Sequence, residues 1–226
     1  MSDTRLILVR HGETDFNAQG RFQGSSDIPL NERGLAQAAA VAPWIARLGA
    51  DHIVSSPLGR ARQTAQAIAE PLELSVATDE RLVEIHCGEW EGELFADIIA
   101  ANPWYVEFEE AGRDFRRSDT GETQSEVGLR VGRALRELAE RHAGQTTVVT
   151  AHGTAIRMGI LDVLGLDLAP GRIFGDLLNC SWSILEPGEH RWRLVTYNAV
   201  VPGAAEAGTR ELEDELTRSA AGTLDA

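Results

Sequence analysis

The sequence contains no lysine, so arginine supplies all 21 of its basic residues. Without lysine, the chain lacks the residue that a P-loop places against nucleotide phosphates and the amine that a Schiff base requires. Both classes of chemistry are therefore excluded. Genome composition is the simplest explanation of the missing lysine, and the absence alone assigns no function.

Cysteine and long apolar runs are also scarce. The two cysteines, Cys87 and Cys180, are too few for the disulfide framework of a small secreted protein. No apolar run approaches the length that spans a membrane, and the first residues do not have the pattern of a signal peptide. We therefore expect a cytoplasmic protein.

Acidic residues outnumber basic residues by 35 to 21, so the formal net charge is -14. An acidic surface disfavours nucleic acid and anionic membranes, so we expect neither as a partner. The histidines lack the close spacing of a zinc motif, and we predict no metal and no cofactor. In so acidic a chain, a local cluster of arginines is informative, since a phosphate site must be built against the background charge.

The most informative stretch begins with four apolar residues, 6–9, which predict a buried strand of a parallel sheet. Arg10, His11 and Gly12 follow at once. Ligands of open α/β sheets bind at the carboxyl ends of the strands, where an arginine–histidine pair is suited to hold and attack an anion. We expect Gly12 to let the backbone approach a ligand closely.

Further strands are predicted over residues 52–56, 74–77 and 146–150, alternating with helical patterns. Alternation of this kind indicates right-handed βαβ units. The predicted fold is α/β, with three layers and a mostly parallel central sheet that has helices on both faces. Residues 181–185 and 192–197 alternate like a closing hairpin or two edge strands.

We divide the chain into one domain, residues 1–202, and an acidic tail, residues 203–226. Within the domain, residues 94–122 are interpreted as an insertion near the active edge, where such segments often act as lids. Residues 15–29 are polar and predicted to form a loop over the strand end.

A second histidine repeats the pattern of the first. His152 also ends an apolar strand and precedes a glycine, Gly153, while Arg10 and Arg60 fall at strand ends or at the helix start just beyond. This geometry would place two imidazoles and two guanidiniums around one point. Because the planar fork of arginine matches phosphate oxygens, we predict a site for phosphoryl transfer.

Four blocks resemble the histidine phosphatase superfamily, the phosphoglycerate mutase-like enzymes. They are residues 10–14 with Asn17, residues 55–61, Glu84 before residues 88–92, and residues 151–153. They occur in the order of the family and span roughly residues 5–198. The resemblance implies a phosphoglycerate mutase-like fold. It also implies a homodimer, which the residues themselves do not indicate.

Residue roles follow from this pattern and the resemblance. We hypothesise that His11 attacks phosphorus to form a phosphohistidine, and the resemblance implies that Glu84 donates the proton to the leaving group. Arg10, Arg60 and a protonated His152 would clamp the oxygens. Additional substrate contacts are assigned to Asn17, Gln23 and Gly153, with Gln23 assigned by the resemblance alone.

The family contains phosphatases and mutases on one site. Its phosphoglycerate mutases carry a longer and more basic insertion, whereas the insertion here is short and acidic and contains a tryptophan, Trp104, which is more similar to the phosphatase branch. Residues 179–183, with residues 192–198, resemble the actinobacterial glucosyl-3-phosphoglycerate phosphatases. We expect a metal-independent phosphatase of a small phosphorylated metabolite, of sugar or glycerate phosphate type. A cofactor-dependent phosphoglycerate mutase and an inactive binding scaffold are the alternatives.

Overall fold

The computed structural model describes residues 4–171 and 173–202, so the predicted tail lies outside the described residues. Within these ranges, six strands form one sheet in the order β3-β2-β4-β1-β5-β6. The strands are β1 (Arg5–Arg10), β2 (His52–Ser55), β3 (Val76–Thr78), β4 (Thr146–Ala151), β5 (Trp182–Pro187) and β6 (Trp192–Ala199). The helices are α1 (Asp15–Ala18), α2 (Glu32–Leu48), α3 (Gly59–Ala69), α4 (Phe95–Ala101), α5 (Trp104–Glu110), α6 (Gln124–Arg141), α7 (Gly153–Leu164) and α8 (Leu168–Gly171).

The sheet is parallel from β3 through β2 and β4 to β1, and then becomes antiparallel at β5 and β6. This arrangement confirms the predicted mostly parallel sheet. Because β5 pairs with both β1 and β6, it lies inside the sheet, and the hairpin is the correct one of the two alternatives for this region. None of the helices in the described ranges is long and apolar enough to cross a membrane.

Strand β1 shows why the sheet has a core on each face. Successive side chains of a strand point to opposite faces. Accordingly, Leu6 and Leu8 join an apolar cluster with residues of α6 and α7, and Ile7 and Val9 join another with residues of α2 and α3. All four side chains are at most 1% exposed. The predicted three-layer architecture follows from this alternation.

Strand register brings the predicted site together. Arg10 of β1 lies opposite Ala151 of β4, and Thr150 of β4 lies opposite Ser55 of β2. The residue that follows each strand is therefore delivered to the same edge of the sheet. These three residues are His11, Ser56 and His152.

Within the protein, the crowding at Gly12 comes from helix α2, and the close approach of a ligand to this backbone stays a prediction. A Cβ atom on Gly12 would lie 2.5 Å from the carbonyl oxygen of Gly34, and a Cβ on Gly34 would lie 2.0 Å from that of Glu13. Such distances are far inside van der Waals contact. The two glycines allow the start of α2 to pack directly on the chain that leaves β1.

The polar segment 15–29 begins with a helical turn, α1, where the sequence predicted only loop. Thr14 Oγ1 accepts a hydrogen bond from the amide of Asn17 at 3.2 Å, and Asn17 Oδ1 accepts one from the amide of Thr14 at 3.2 Å. This reciprocal pair is a capping box. The spacing of a threonine and an asparagine three residues later was the sequence signal for it.

Candidate active site

A cavity of about 450 Å³ lies at the carboxyl edge of the sheet. Its lining includes Arg10, His11, Arg60 and Glu84, which are four of the residues predicted to act in catalysis. Asn17 and Gln23 also line it. The segment predicted as an insertion also contributes to the lining, through Phe95, Ile99, Tyr105, Val106, Glu109, Glu110 and Arg117.

His11 is arranged as a neutral imidazole. Its Nδ1 lies 2.6 Å from the carbonyl oxygen of Gly12, which can only accept a hydrogen bond, so the ring proton is on Nδ1. Burial, and then the positive charges of Arg60 and Arg10, hold the pKa of His11 well below its ordinary value. The Nε2 atom therefore keeps a lone pair, as a nucleophile requires.

Arg60 is a fully buried cation. Its Nη1 and Nη2 donate to the carbonyl oxygens of Ser26 and Gly24 at 2.6 and 2.8 Å, and its Nε donates to His152 Nδ1 at 3.2 Å. Burial lowers the pKa of Arg60 to about 10, so the guanidinium keeps its charge at neutral pH. These bonds fix the plane of the fork beside His11.

His152 corrects the sequence prediction of a protonated clamp. Its Nδ1 accepts the hydrogen bond from Arg60 and therefore carries no proton, while its Nε2 lies 2.8 Å from Ser56 Oγ. Burial, followed by the charge of Arg60, holds the pKa of His152 well below its ordinary value. The neutral ring lies 5.1 Å from the His11 ring, centroid to centroid, and orients Arg60. A third positive charge close to Arg60 and Arg10 would be strongly opposed.

Arg10 supplies the second guanidinium. Its Nη1 donates to the carbonyl oxygen of Leu177, whereas its buried Nε has no hydrogen-bond partner among the described residues. The Cβ position of Gly153, the first residue of α7, lies 3.6 Å from that Nε. Arg10 therefore meets the N-terminus of α7, where backbone amides and a cation can both face an anion.

Glu84 is held at the N-terminus of α7. Its Oε1 accepts from the amides of Ile85 and Ala155 at 2.8 and 2.9 Å, and its Oε2 accepts from the amide of Thr154 at 3.0 Å. Its backbone is fixed by Arg130, which donates to the carbonyl oxygen of Glu84 at 3.0 Å. Glu84, held in this way, lines the cavity that contains His11.

Asn17 and Gln23 have their side-chain oxygens engaged within the protein. Asn17 Oδ1 accepts the hydrogen bond from the amide of Thr14 in the capping box, and Gln23 Oε1 accepts one from Thr14 Oγ1 at 3.0 Å. The group that each can offer a ligand in the cavity is therefore its NH₂, a donor suited to a phosphate oxygen.

A model of the histidine phosphatase superfamily, branch 1, matches residues 6–200 of the chain. The chain belongs to this superfamily. Among its curated relatives, a protein named probable phosphoglycerate mutase from Yersinia pestis is 37% identical over a match that covers 95% of this chain and 99% of the relative.

Solved structures of the superfamily include close matches to this fold. The mycobacterial glucosyl-3-phosphoglycerate phosphatase, in complex with VO3, is 35% identical with a TM-score of 0.80, over 87% of this chain and 99% of that one. The phosphoserine phosphatase of Entamoeba histolytica is 31% identical with a TM-score of 0.77, over 86% and 96%. The relatives thus include named phosphatases and a named mutase.

Sequence reasoning did not find several residues that shape the site. Arg117 lines the cavity, with its guanidinium carbon 4.0 Å from the Phe115 ring centroid and an ion pair to Glu109. Arg130 and Ser56 contact predicted catalytic residues from α6 and from the end of β2. Arg117 falls in a stretch whose structure the sequence pattern did not indicate, and Arg130 looks like any other charge on an amphipathic helix.

The hydrogen-bond pattern predicts the tautomer of each buried ring. At pH 6.5 we expect His11 to carry its proton on Nδ1 and His152 on Nε2, because burial disfavours the imidazolium. Long-range ¹H–¹⁵N NMR of the free protein measures both, with His11→Asn as the assignment control. Below about pH 6.5, the two histidines would bind protons in the unfolded chain but not in the folded protein. The free energy of unfolding should therefore fall as the pH is lowered through this range. A doubly protonated His11 or His152 at pH 6.5 would contradict this assignment.

Proposed function

We propose that the protein is a phosphatase of small phosphomonoesters that works through a phosphohistidine on His11. The observation that carries the proposal is the arrangement of a neutral histidine beside two guanidiniums, the buried Arg60 and the partly buried Arg10, in a cavity that Glu84 also lines. Positioned cations stabilise the charge that spreads over the equatorial oxygens of a transferring phosphoryl group. The neutral ring supplies the nucleophile.

In the first step, the lone pair of His11 Nε2 attacks phosphorus. The bond between phosphorus and the ester oxygen breaks, and its electron pair leaves with that oxygen. The proton of Glu84, in its acid form, passes to the leaving oxygen, so that an alcohol departs and a carboxylate remains. Arg10 and Arg60 balance the phosphoryl charge.

In the second step, water attacks the phosphorus of the phosphohistidine. Glu84 takes a proton from that water, the bond between phosphorus and Nε2 breaks, and its electron pair returns to His11. Inorganic phosphate leaves, and the acid form of Glu84 is restored. The two steps together consume one ester and one water, and this sequence requires no metal ion. Among the described residues, no cluster of three or more His, Cys, Asp or Glu side chains could hold one.

The cavity wall favours hydrolysis over mutase activity. Phe95 and Val106 are 43% and 41% exposed and line the cavity, so its lining is partly apolar. Two further arginines of the cavity lining, Arg117 and Arg157, form ion pairs with Glu109 and Asp176. A mutase must hold a phosphorylated acid against its phosphoenzyme and exclude water, which a wall of unpaired cations would serve better.

A cavity of about 450 Å³ has room for an organic group beside the phosphoryl group. We therefore favour a substrate of sugar or glycerate phosphate type. Its leaving group can cover apolar side chains and meet charged groups at the rim. The phosphoglycerate-type substrates named for solved relatives agree with this class, whereas the name of the curated relatives favours the mutase alternative.

Product analysis tests this choice. Incubated with 3-phosphoglycerate in the presence of a chelator, the protein should release inorganic phosphate and form no 2-phosphoglycerate, both followed by ³¹P NMR. The His11→Ala variant is the control and should release none. Accumulation of 2-phosphoglycerate would establish the mutase alternative, and no turnover of any sugar, glycerate or aryl phosphate would favour the inactive scaffold.

The role of Glu84 predicts a dependence on the leaving group. Glu84→Gln should lower kcat/KM for an alkyl phosphate by about 10²- to 10⁴-fold, because an alkoxide needs a proton to leave. The loss should be much smaller for p-nitrophenyl phosphate, whose phenolate leaves unprotonated. Glu80→Gln, at an exposed position of the same segment, is the matched control. Equal losses on both esters would remove Glu84 from the role of general acid.

A further inference from the structure

The carboxylate of Glu91 receives an unusual number of hydrogen bonds. Its Oε1 accepts from the amide and hydroxyl of Ser25, both at 2.9 Å, from His86 Nδ1 at 2.8 Å and from the amide of Cys87 at 3.1 Å. Its Oε2 accepts from Ser26 Oγ at 2.6 Å. The side chain thus binds residues 25 and 26 to the loop that contains Glu91 itself.

Arg60 also holds the short loop of residues 24–26. The carbonyl oxygens of Gly24 and Ser26 accept the two terminal N–H groups of the Arg60 guanidinium. Gly24 has a φ of 53°, and a Cβ there would lie 2.3 Å from Glu91 Oε1, so the loop is pressed directly onto the carboxylate. Residues 24–26 therefore form a bridge between Glu91 and the buried cation of the active site.

Glu91 itself does not line the cavity formed by the described residues. Burial would raise the pKa of its carboxyl, but the hydrogen bonds of Ser26, Ser25, His86 and Cys87 outweigh burial and lower the pKa to about 2. The group is thus a permanent anion.

A proton relay through this cluster is excluded by its geometry. Ser25 Oγ and Glu91 Oε1 both meet the same ring atom, Nδ1 of His86, at 3.0 and 2.8 Å. A catalytic triad needs the two ring nitrogens to contact different partners. The carboxylate is therefore suited to hold the loop in place, not to activate Ser25.

We propose that Glu91 is a positioning residue for the phosphate site, acting through residues 24–26 on the orientation of Arg60. The inference rests on the proposed phosphoryl chemistry, because it assigns Arg60 to the phosphate. Glutamine at position 91 keeps the size of the side chain, but only its carbonyl oxygen can accept hydrogen bonds, because its NH₂ group is a donor. Several of the converging donors would then lose their partner, and the carbonyl oxygens that fix Arg60 would lose their support.

The test compares Glu91→Gln with Glu93→Gln, an exposed glutamate two residues away. We expect Glu91→Gln to raise the dissociation constant for inorganic phosphate, measured by calorimetry, by about 10- to 100-fold, the range typical of residues that orient a ligand-binding group. KM for p-nitrophenyl phosphate should rise in parallel, and Glu93→Gln should change neither. If Glu91→Gln does not fold, Ser26→Ala removes one of the five bonds and should give a smaller rise.

The outcomes separate the two proposals. Wild-type affinity for phosphate in Glu91→Gln, even with a lower Tm, would overturn the positioning role and leave Glu91 structural. If the wild-type protein binds phosphate but hydrolyses no ester, the proposed phosphatase function is wrong. The comparison of phosphate dissociation constants would still test the role of Glu91. A wild-type protein that binds no phosphate would overturn both.

Discussion

The burial of Arg60 is the constraint on which the rest of the site depends. Removing a guanidinium from water is costly unless its donors are satisfied. Arg60 meets this demand with two loop carbonyl oxygens and the Nδ1 atom of His152. Loop 24–26 must therefore fold over α3, and His152 must be neutral. The charge of Arg60 in turn disfavours protonation of His11, so that one buried cation organises both a binding loop and a nucleophile.

The parallel sheet explains how distant residues converge on this cation. The ends of β1 and β4 deliver two histidines side by side, and the start of α7 receives both Arg10 and the carboxylate of Glu84. Phosphoryl transfer gains most from such fixed charges, because they need no reorganisation during the reaction. Membership of the histidine phosphatase superfamily agrees with this arrangement, and the partly apolar lining of the cavity is the feature that supports the proposed hydrolysis.

Much of the fold was predictable because its signals are local. Apolar runs, strand ends and the paired His-Gly dipeptides located β1, β4 and the edge where the site lies. The protonation state of His152 was not predictable, since it depends on a hydrogen bond from Arg60, which lies 92 residues away in sequence. The same holds for Arg117, Arg130 and Glu91, whose contacts form only through tertiary structure. The helical turn α1 was missed although its capping box is local, because the surrounding glycine and polar residues suggested a loop.

The proposed mechanism depends on His11 Nε2 as the nucleophile that accepts the phosphoryl group and forms a covalent phosphoenzyme. Mixing the wild-type protein with a phosphomonoester, quenching in alkali and measuring intact mass with peptide mapping tests it most directly, since phosphohistidine survives base. We expect a phosphoryl adduct that maps to residue 11 and is absent from His11→Ala, which should also lose turnover. Undiminished turnover in His11→Ala, or an adduct on another residue, would contradict it.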